Sequence, residues 1–209
     1  ARILNMVRND KRFMQGRVIP DEKHNPVRIL DIIKGKTIDD HVLDIEVGHE
    51  VYYLEYFPDI LRRFIDSCEA IGVLHAGWEQ HGDIRRDHLL VEHGTGRYRW
   101  IDFDYAFDFH ENPFGLDLFG LGNVLLFLAG KGIWTDKMIA SMDQGSDILG
   151  AMARDDFSIM FPNRLVNLQK LFPYLSPQLN YVLMHFSLGA EIYYDSVDEF
   201  LEDLIPCCS

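Results

Sequence analysis

Two groups of carboxylate residues lie close together near the middle of the chain. One is in HGDIRRDHLLV, residues 81–91, and the other is in IDFD, residues 101–104. Phosphoryl transfer depends on carboxylates of this kind, because divalent cations neutralise the developing charge and one carboxylate receives the proton of the attacking hydroxyl. Oxygen ligands also suit Mg²⁺. The two groups therefore predict a magnesium-dependent phosphoryl-transfer site.

A short hairpin is predicted to hold the two groups together. Apolar runs at residues 88–91 and 98–103 flank a stretch that contains Gly94 and Gly96, and two glycines suit a tight turn. The outer ends of the two strands of a hairpin lie side by side. We therefore expect four side chains to converge there, namely Asp83, His88, Asp102 and Asp104.

The same motifs resemble those of the protein-kinase superfamily. HGDIRRDH resembles its catalytic loop, H-R-D-L-K-x-x-N, and IDFD resembles its D-F-G. DLFGLGNVLLFLAGKG, residues 117–132, is similar to the buried helix that begins D-x-W-x-x-G, and VYYLEYFP, residues 51–58, resembles the last strand and hinge of the N-terminal lobe. The resemblance covers roughly residues 27–204, and the motifs occur in the family's order.

The resemblance implies a role for each matching residue. Asp83 matches the catalytic base, Asp102 the metal-binding aspartate and Arg85 the lysine that steadies the transferred phosphoryl group. His88 takes the place of the asparagine that binds a second metal ion, and a structural hydrogen bond is an equally open role for it. ATP and Mg²⁺ are the implied cofactors.

The remaining matches concern the nucleotide and the support of the loop. In the family pattern, Leu54 is the gatekeeper, Glu55 and Phe57 present main-chain groups to adenine, and Leu90 forms the floor of the adenine site. Structural support is expected from His81, Asp104 and Asp117. For Asp117, a plain partnership with the helix dipole is the simpler alternative.

Several departures from the family pattern bear on the substrate. Gly82 replaces the arginine that receives activation-loop phosphate, and the fourteen residues between Asp102 and Asp117 contain no A-P-E. H-G-D and D-F-D resemble the small-molecule and lipopolysaccharide-core kinases. These departures favour a small molecule or glycan as the unknown acceptor, and a protein acceptor stays open.

The expected fold class is α+β, a protein-kinase-like fold with a mostly helical C-terminal lobe and a remnant of the N-terminal sheet. Residues 1–57 are expected to form a partial N-terminal lobe and hinge with two strands, at 27–33 and 51–56, and residues 58–209 the helical lobe. Nothing before Val27 resembles a glycine-rich phosphate loop or the V-A-I-K strand. We therefore expect the chain to be a piece of a longer one.

Composition limits the partners. The net charge of −13 repels nucleic acid and acidic membrane surfaces, so no nucleic-acid partner is expected. The longest apolar stretch, residues 116–129, is too short and too interrupted for a membrane span. Three cysteines form neither a disulfide framework nor a zinc pattern, which is typical of a reducing, cytoplasmic protein.

Two other functions remain open. His88 in the asparagine position and the missing strand lysine are also typical of a pseudokinase or scaffold that keeps a nucleotide-binding remnant. A metal-dependent hydrolase could instead use His81, Asp83, His88 and Asp102 around a transition metal. That alternative does not explain the helix that begins near Asp117.

Overall fold

The computed structural model describes residues 2–103 and 112–208. Nine α-helices are described: α1 Arg2–Met6, α2 Ile38–Leu43, α3 His49–Val51, α4 Phe57–Ala76, α5 Gly115–Gly130, α6 Asp136–Ala140, α7 Gly145–Gly150, α8 Pro177–Met184 and α9 Val197–Leu204. The five described strands are β1 Gly16–Pro20, β2 Pro26–Leu30, β3 Gly35–Thr37, β4 Leu89–Glu92 and β5 Tyr98–Trp100. The predicted α+β class is confirmed: small antiparallel sheets accompany a mostly helical remainder.

The five strands form two separate antiparallel sheets. β1 and β2 make a hairpin in which Gly16 lies opposite Leu30. The second sheet has the order β3-β4-β5, so that the short β3 lies beside β4, with Thr37 opposite Leu90. The β4–β5 hairpin was predicted, and its turn contains Gly94 and Gly96 at φ of 81° and 65°, in the left-handed region that glycine enters without steric cost.

Helix α5 is buried on nearly every side. All but four of its residues are buried, and its Gly120 packs against the loop that precedes β4. A Cβ atom at Gly120 would come within 2.6 Å of the Cβ of Ile84, a distance that packed side chains do not tolerate. The glycine therefore lets α5 approach this loop closely, which matters because the loop carries Asp83.

The strand and hinge predicted at residues 51–58 are wrong. His49–Val51 is α-helical, Tyr52–Tyr56 is a π-helix, and the chain continues directly into α4. The aromatic residues that suggested a strand instead place Tyr52 and Phe57 in the core, and the hydroxyl of Tyr52 donates to the carbonyl oxygen of Leu128 at 2.8 Å. Packing against α5 outweighs the local preference of aromatic residues for strands.

Serine side chains cap the starts of the last two described helices. Ser176 caps α8 by accepting the N–H of Leu179, and Ser196 caps α9 by accepting the N–H of Glu199, as N-cap serines commonly do. None of the helices within the described ranges combines the length and apolar character that crossing a lipid bilayer requires.

Candidate active site

A buried carboxylate holds the loop between α4 and β4. Asp117, in the first turn of α5, has no exposed surface. Its Oδ2 accepts the N–H of His81 at 2.8 Å, and its Oδ1 accepts the N–H of Gly82 at 2.8 Å. The Nε2 of His75 also lies 3.0 Å from Oδ2. Two loop amides are thus tied to a single buried carboxylate just before Asp83.

The ring of His81 fills the space behind the loop. Its Nδ1 accepts the N–H of Asp83 at 3.3 Å, and its edge packs against Trp100 and Phe103, with ring centroids 5.3 and 6.1 Å away. Burial lowers the pKa of His81 to about 4, so the ring is neutral at physiological pH. His81 therefore acts as a packing residue that also orients the main chain of Asp83.

Two residues of the site have a left-handed backbone. Gly82 has a φ of 79° and Asp102 a φ of 52°. Glycine adopts this conformation freely, whereas it is uncommon for other residues, although aspartate enters it more readily than most, and strained residues of this kind cluster at functional sites. The next residue, Phe103, is buried and packs edge-on against Phe13 at 5.8 Å. The buried Phe103 and the exposed Asp102 thus point to opposite sides of the chain.

His88 lies between the two carboxylates that the sequence singled out. Its Nδ1 is 2.9 Å from the carbonyl oxygen of Asp83 and 3.4 Å from the Oδ2 of the same residue, and its Nε2 is 3.9 Å from the Oδ2 of Asp102. A carbonyl oxygen only accepts hydrogen bonds, so Nδ1 carries the hydrogen in this contact. The lone pair of a neutral His88 is then on Nε2, the atom that faces Asp102.

Asp102 and His88 are the residues that could hold a metal ion. Within residues 2–103 and 112–208, no group of three or more His, Cys, Asp or Glu side chains is arranged to bind one. A two-donor set fits Mg²⁺, which proteins commonly bind through one or two side chains while substrate phosphates and water supply the rest. The four-ligand site that a hydrolase would build from His81, Asp83, His88 and Asp102 is not present among these residues.

The arginines of the loop have carboxylate neighbours. Arg85 donates from Nε to Asp87 Oδ1 at 3.0 Å and makes a second, very short contact to Oδ2. The Arg85 hydrogen bond lowers the pKa of the Asp87 carboxyl. Arg86 lies 3.9 Å from Asp39 and places its guanidinium 4.5 Å from the ring centroid of Phe127. Arg85, which is more than half exposed, is the one on the open side of the loop.

The residues expected to bind the nucleotide are not brought together. Leu90 is half-buried in β4, beside β3. Leu54 and Glu55 are exposed on the π-helix, while Phe57 is buried, and the N–H of Phe57 is bonded to the carbonyl oxygen of Tyr52. These three residues therefore do not form an extended hinge. Asp104 lies outside the described residues.

A different segment has the features of a nucleotide hinge. Residues 31–34 connect β2 to β3 outside any helix or strand, and β3 then pairs with β4 next to Leu90. Ile32 is 91% exposed, and the main-chain groups of Ile32 and Ile33 have no hydrogen-bond partner among the described residues. The sequence does contain a signal for a hinge here, because the predicted strand at residues 27–33 is followed by Gly35 and by the helix that Thr37 caps. The hinge was instead predicted at residues 51–58.

A cavity of about 510 Å³ opens beside Asp83. The loop of residues 82–87 forms one wall, α5 contributes Phe119 and Val124, and the segment after α7 contributes Phe161 and Arg164. His88, Leu90 and Asp102, all in the described part of the chain, are not among its lining residues. Asp83 thus borders both this cavity and the pair formed by His88 and Asp102. No sequence signal pointed to Arg164, because its place in the site depends on long-range folding.

Comparison with solved structures places this architecture among known folds. The PknI kinase domain of Mycobacterium tuberculosis matches with a TM-score of 0.60 and 14% sequence identity, over 94% of this chain and 72% of that chain. A single-site mutant of the same domain matches with a TM-score of 0.61 and 12% identity, over 95% and 72%. No protein-family model and no curated protein matches the sequence. Identities this low establish similarity of fold alone.

Proposed function

Because the chain has a protein-kinase-like fold, we propose that it is a phosphotransferase that moves the γ-phosphoryl group of ATP to a hydroxyl acceptor with the help of Mg²⁺. One observation carries the proposal: the carboxylates of Asp83 and Asp102 lie on either side of His88, on a loop whose amides are bonded to Asp117. This arrangement places a proton acceptor beside side chains that can coordinate a cation. Phosphoryl transfer requires both kinds of group.

Asp102 and His88 are the residues that would hold the metal ion. A bound Mg²⁺ would neutralise charge on the phosphate oxygens. Asp102 is 61% exposed and can offer its carboxylate to a cation. His88 is almost buried, and its bond to the carbonyl oxygen of Asp83 fixes which nitrogen faces Asp102. Such a bond to the far nitrogen is the usual way in which proteins orient a histidine ligand.

Asp83 is the proposed general base. As the acceptor hydroxyl oxygen bonds to the γ-phosphorus, the bond between that phosphorus and the β,γ-bridging oxygen breaks, ADP leaves, and the hydroxyl proton passes to Asp83. The side chain of Asp83 is about one-third exposed, which leaves room for an acceptor. Its main chain is fixed at both polar ends, by His81 at the N–H and by His88 at the carbonyl oxygen. Such fixation favours transfer because positioning supplies much of the rate.

Residues 31–34 are the proposed contact for adenine. The main-chain groups of Ile32 and Ile33, between β2 and β3, have no hydrogen-bond partner among the described residues, and Leu90 on the neighbouring strand β4 would form one apolar wall. Main-chain N–H and C=O groups recognise a purine edge by hydrogen bonds, and these two residues offer both. Residues 31–34 thus take the place of Leu54, Glu55 and Phe57, for which the sequence predicted contacts with adenine.

Nucleotide binding without transfer is a second candidate. The observation that favours it is the contact between Arg85 and Asp87, because this guanidinium is the group expected to steady the transferred phosphoryl. A guanidinium already bonded to a carboxylate is partly neutralised. If this contact persists with nucleotide bound, the protein would bind ATP and turn it over poorly.

Measuring Mg²⁺-dependent ADP formation from ATP, together with ATP affinity by calorimetry, tests the proposal and separates the two candidates. Asp83→Asn should lower turnover by about 10² or more while ATP affinity stays within a few-fold. Asp143→Asn, a change at an exposed position far along the chain, should alter neither. Binding without turnover in the wild type would favour the second candidate, and turnover in Asp83→Asn equal to wild type would contradict the role of Asp83.

A further inference from the structure

The cavity beside Asp83 has the size of a small-molecule site. Its volume of about 510 Å³ lies in the range of pockets that enclose drug-sized ligands. Asp83, the proposed base, is one of its lining residues, while the donors His88 and Asp102 are not. A molecule in this cavity would therefore meet the base without occupying the metal pair.

One arginine of the cavity wall, Arg164, has no carboxylate partner among residues 2–103 and 112–208. The guanidinium of Arg164 lies 3.7 Å from the ring centroid of Phe161, and within the described ranges no carboxylate lies within 4.0 Å of it. Burial and the nearby charge of Arg86 lower the pKa of Arg164. A positive charge in this position is destabilised by both effects, and an anion placed beside it would relieve them.

Other charged side chains of the cavity wall have partners of opposite charge. Its wall also includes Asp87, which bonds to Arg85, and Asp39, which lies 3.9 Å from Arg86. Among the described residues of the wall, two charges remain without such a neighbour: the base Asp83, whose role is to meet a hydroxyl, and Arg164. The cavity is also lined by apolar groups, including Ile133, Met160 and Phe161, which can cover a carbon skeleton.

The position of Arg164 is fixed by its own main chain. Its N–H donates to the carbonyl oxygen of Phe161 at 2.8 Å, and its carbonyl oxygen accepts the N–H of Ser158 at 2.9 Å. The main chain of Arg164 also forms an isolated antiparallel β-bridge with Thr135, the N-cap residue of α6. These contacts hold the main chain of Arg164, and its guanidinium lies against the ring of Phe161. Fewer groups then need ordering when an anion binds, which lowers the entropic cost of binding.

We propose that this cavity is the acceptor site, and that the acceptor is a small hydroxylated molecule with a phosphate or carboxylate group that binds Arg164 while its hydroxyl faces Asp83. The inference rests on the proposed function for the identity of the site. It adds the chemical class of the acceptor and a residue that selects it. Arginine is suited to this role because its planar fork can form two hydrogen bonds to one anion.

The test is a titration of the nucleotide-free protein, observed through ¹³C-labelled methionine methyl groups, because Met160 lines the cavity and Met6 on α1 does not. The probes are glycerol 3-phosphate, glycerol and a phosphoserine peptide. Glycerol 3-phosphate should shift the Met160 signal saturably and leave the Met6 signal unchanged, and glycerol at equal concentration should shift neither signal. A shift of Met160 with the peptide alone would overturn the small-molecule class.

Substitutions at Arg164 locate the anion. Arg164→Gln should weaken glycerol 3-phosphate binding about tenfold or more, and Arg164→Lys should retain part of the affinity. Arg154→Gln removes an equal charge from an exposed position and should leave binding unchanged. No saturable shift, or equal affinity in Arg164→Gln and wild type, would overturn the inference. Because no ATP is present, that failure is distinct from a failure to form ADP, which would overturn the proposed function instead.

Discussion

The imidazole of His88 is joined through Nδ1 to the carbonyl oxygen of Asp83 across 2.9 Å, and this contact leaves Nε2 facing Asp102. An asparagine in the same position would offer the proposed cation an amide oxygen, whereas His88 would offer it a nitrogen. Nitrogen ligands favour transition metals over Mg²⁺, and oxygen ligands favour Mg²⁺. The identity of one side chain therefore bears on the choice of cation.

We predict that the wild-type protein prefers Mn²⁺ to Mg²⁺ when it binds ATP, and that His88→Asn lowers this preference about tenfold. Calorimetry of ATP binding with each cation gives the two affinities and their ratio. His93→Asn is the matched control, because His93 is exposed at the far end of the same hairpin. An unchanged ratio in His88→Asn would mean that His88 is not a metal ligand.

Asp117→Ala should destabilise the protein by about 1–3 kcal/mol, because the N–H groups of His81 and Gly82 lose their buried acceptor. Asp147→Ala is a control for the helix dipole, since Asp147 is also in the first turn of a helix but is exposed. It should cost about 0.5 kcal/mol. Denaturant unfolding measures both. Equal losses of unfolding free energy in the two variants would mean that Asp117 stabilises the protein only through the helix dipole.

Stability should fall as the pH falls below about 6.5, and His49 should contribute to the fall. Burial lowers the pKa of His49 below its ordinary value of 6.5, so below that value the unfolded chain binds the proton more readily than the folded one. Stability is then complete above pH 6.5 and is lost as pH falls through the lower, folded pKa. The ring stacks on Phe172 at 3.5 Å, and its Nε2 lies 2.9 Å from the carbonyl oxygen of Ala129.

His49→Phe should show a smaller loss of unfolding free energy between pH 7.5 and 5.5 than wild type, whatever its stability at pH 7.5. Some loss should remain, because burial also lowers the pKa values of His41 and His81. Chemical denaturation at the two pH values measures the difference. A loss in His49→Phe equal to that of wild type would show that His49 does not contribute.

The nucleotide contact at residues 31–34 can be tested against the helix that was first expected to make it. Ile33→Pro removes a main-chain N–H and should weaken ATP binding about fivefold to tenfold relative to Ile33→Ala, which removes the side chain alone. Leu54→Ala and Glu55→Ala should leave ATP affinity unchanged, because both side chains are exposed on a helix. The opposite pattern of ATP affinities would mean that residues 51–58 contact the nucleotide and residues 31–34 do not.

The parts of the fold that were predictable from the sequence have strong local signals. The β4–β5 hairpin is marked by Gly94 and Gly96, and α8 and α9 begin at Ser176 and Ser196, where capping side chains define the start. Residues 51–58 were mistaken for a strand because a run of aromatic residues suits a strand locally. Their burial against α5 on one side of a helix is a tertiary effect that no local pattern contains.

The candidate site also has a part that was predictable from the sequence and a part that was not. Asp83, His88 and Asp102 stand in motifs, and the structure brings them together. Arg164 stands in none, and it lines the cavity beside Asp83 because the chain returns to the loop of residues 82–87 more than sixty residues after Asp102. Its lack of a carboxylate partner among the described residues is a property of the folded surface, so sequence reasoning had no means of singling it out.

The most direct test of the account is calorimetry of ATP binding with and without Mg²⁺ in wild type, Asp102→Asn and Asp143→Asn. If Asp102 anchors the cation beside the phosphates, wild type and Asp143→Asn should bind ATP more tightly with Mg²⁺ than with a chelator present. Asp102→Asn should lose about tenfold or more of the Mg²⁺-dependent affinity. Mg²⁺-ATP affinity equal in all three proteins would contradict the central claim that Asp102 holds the metal of a phosphotransferase site.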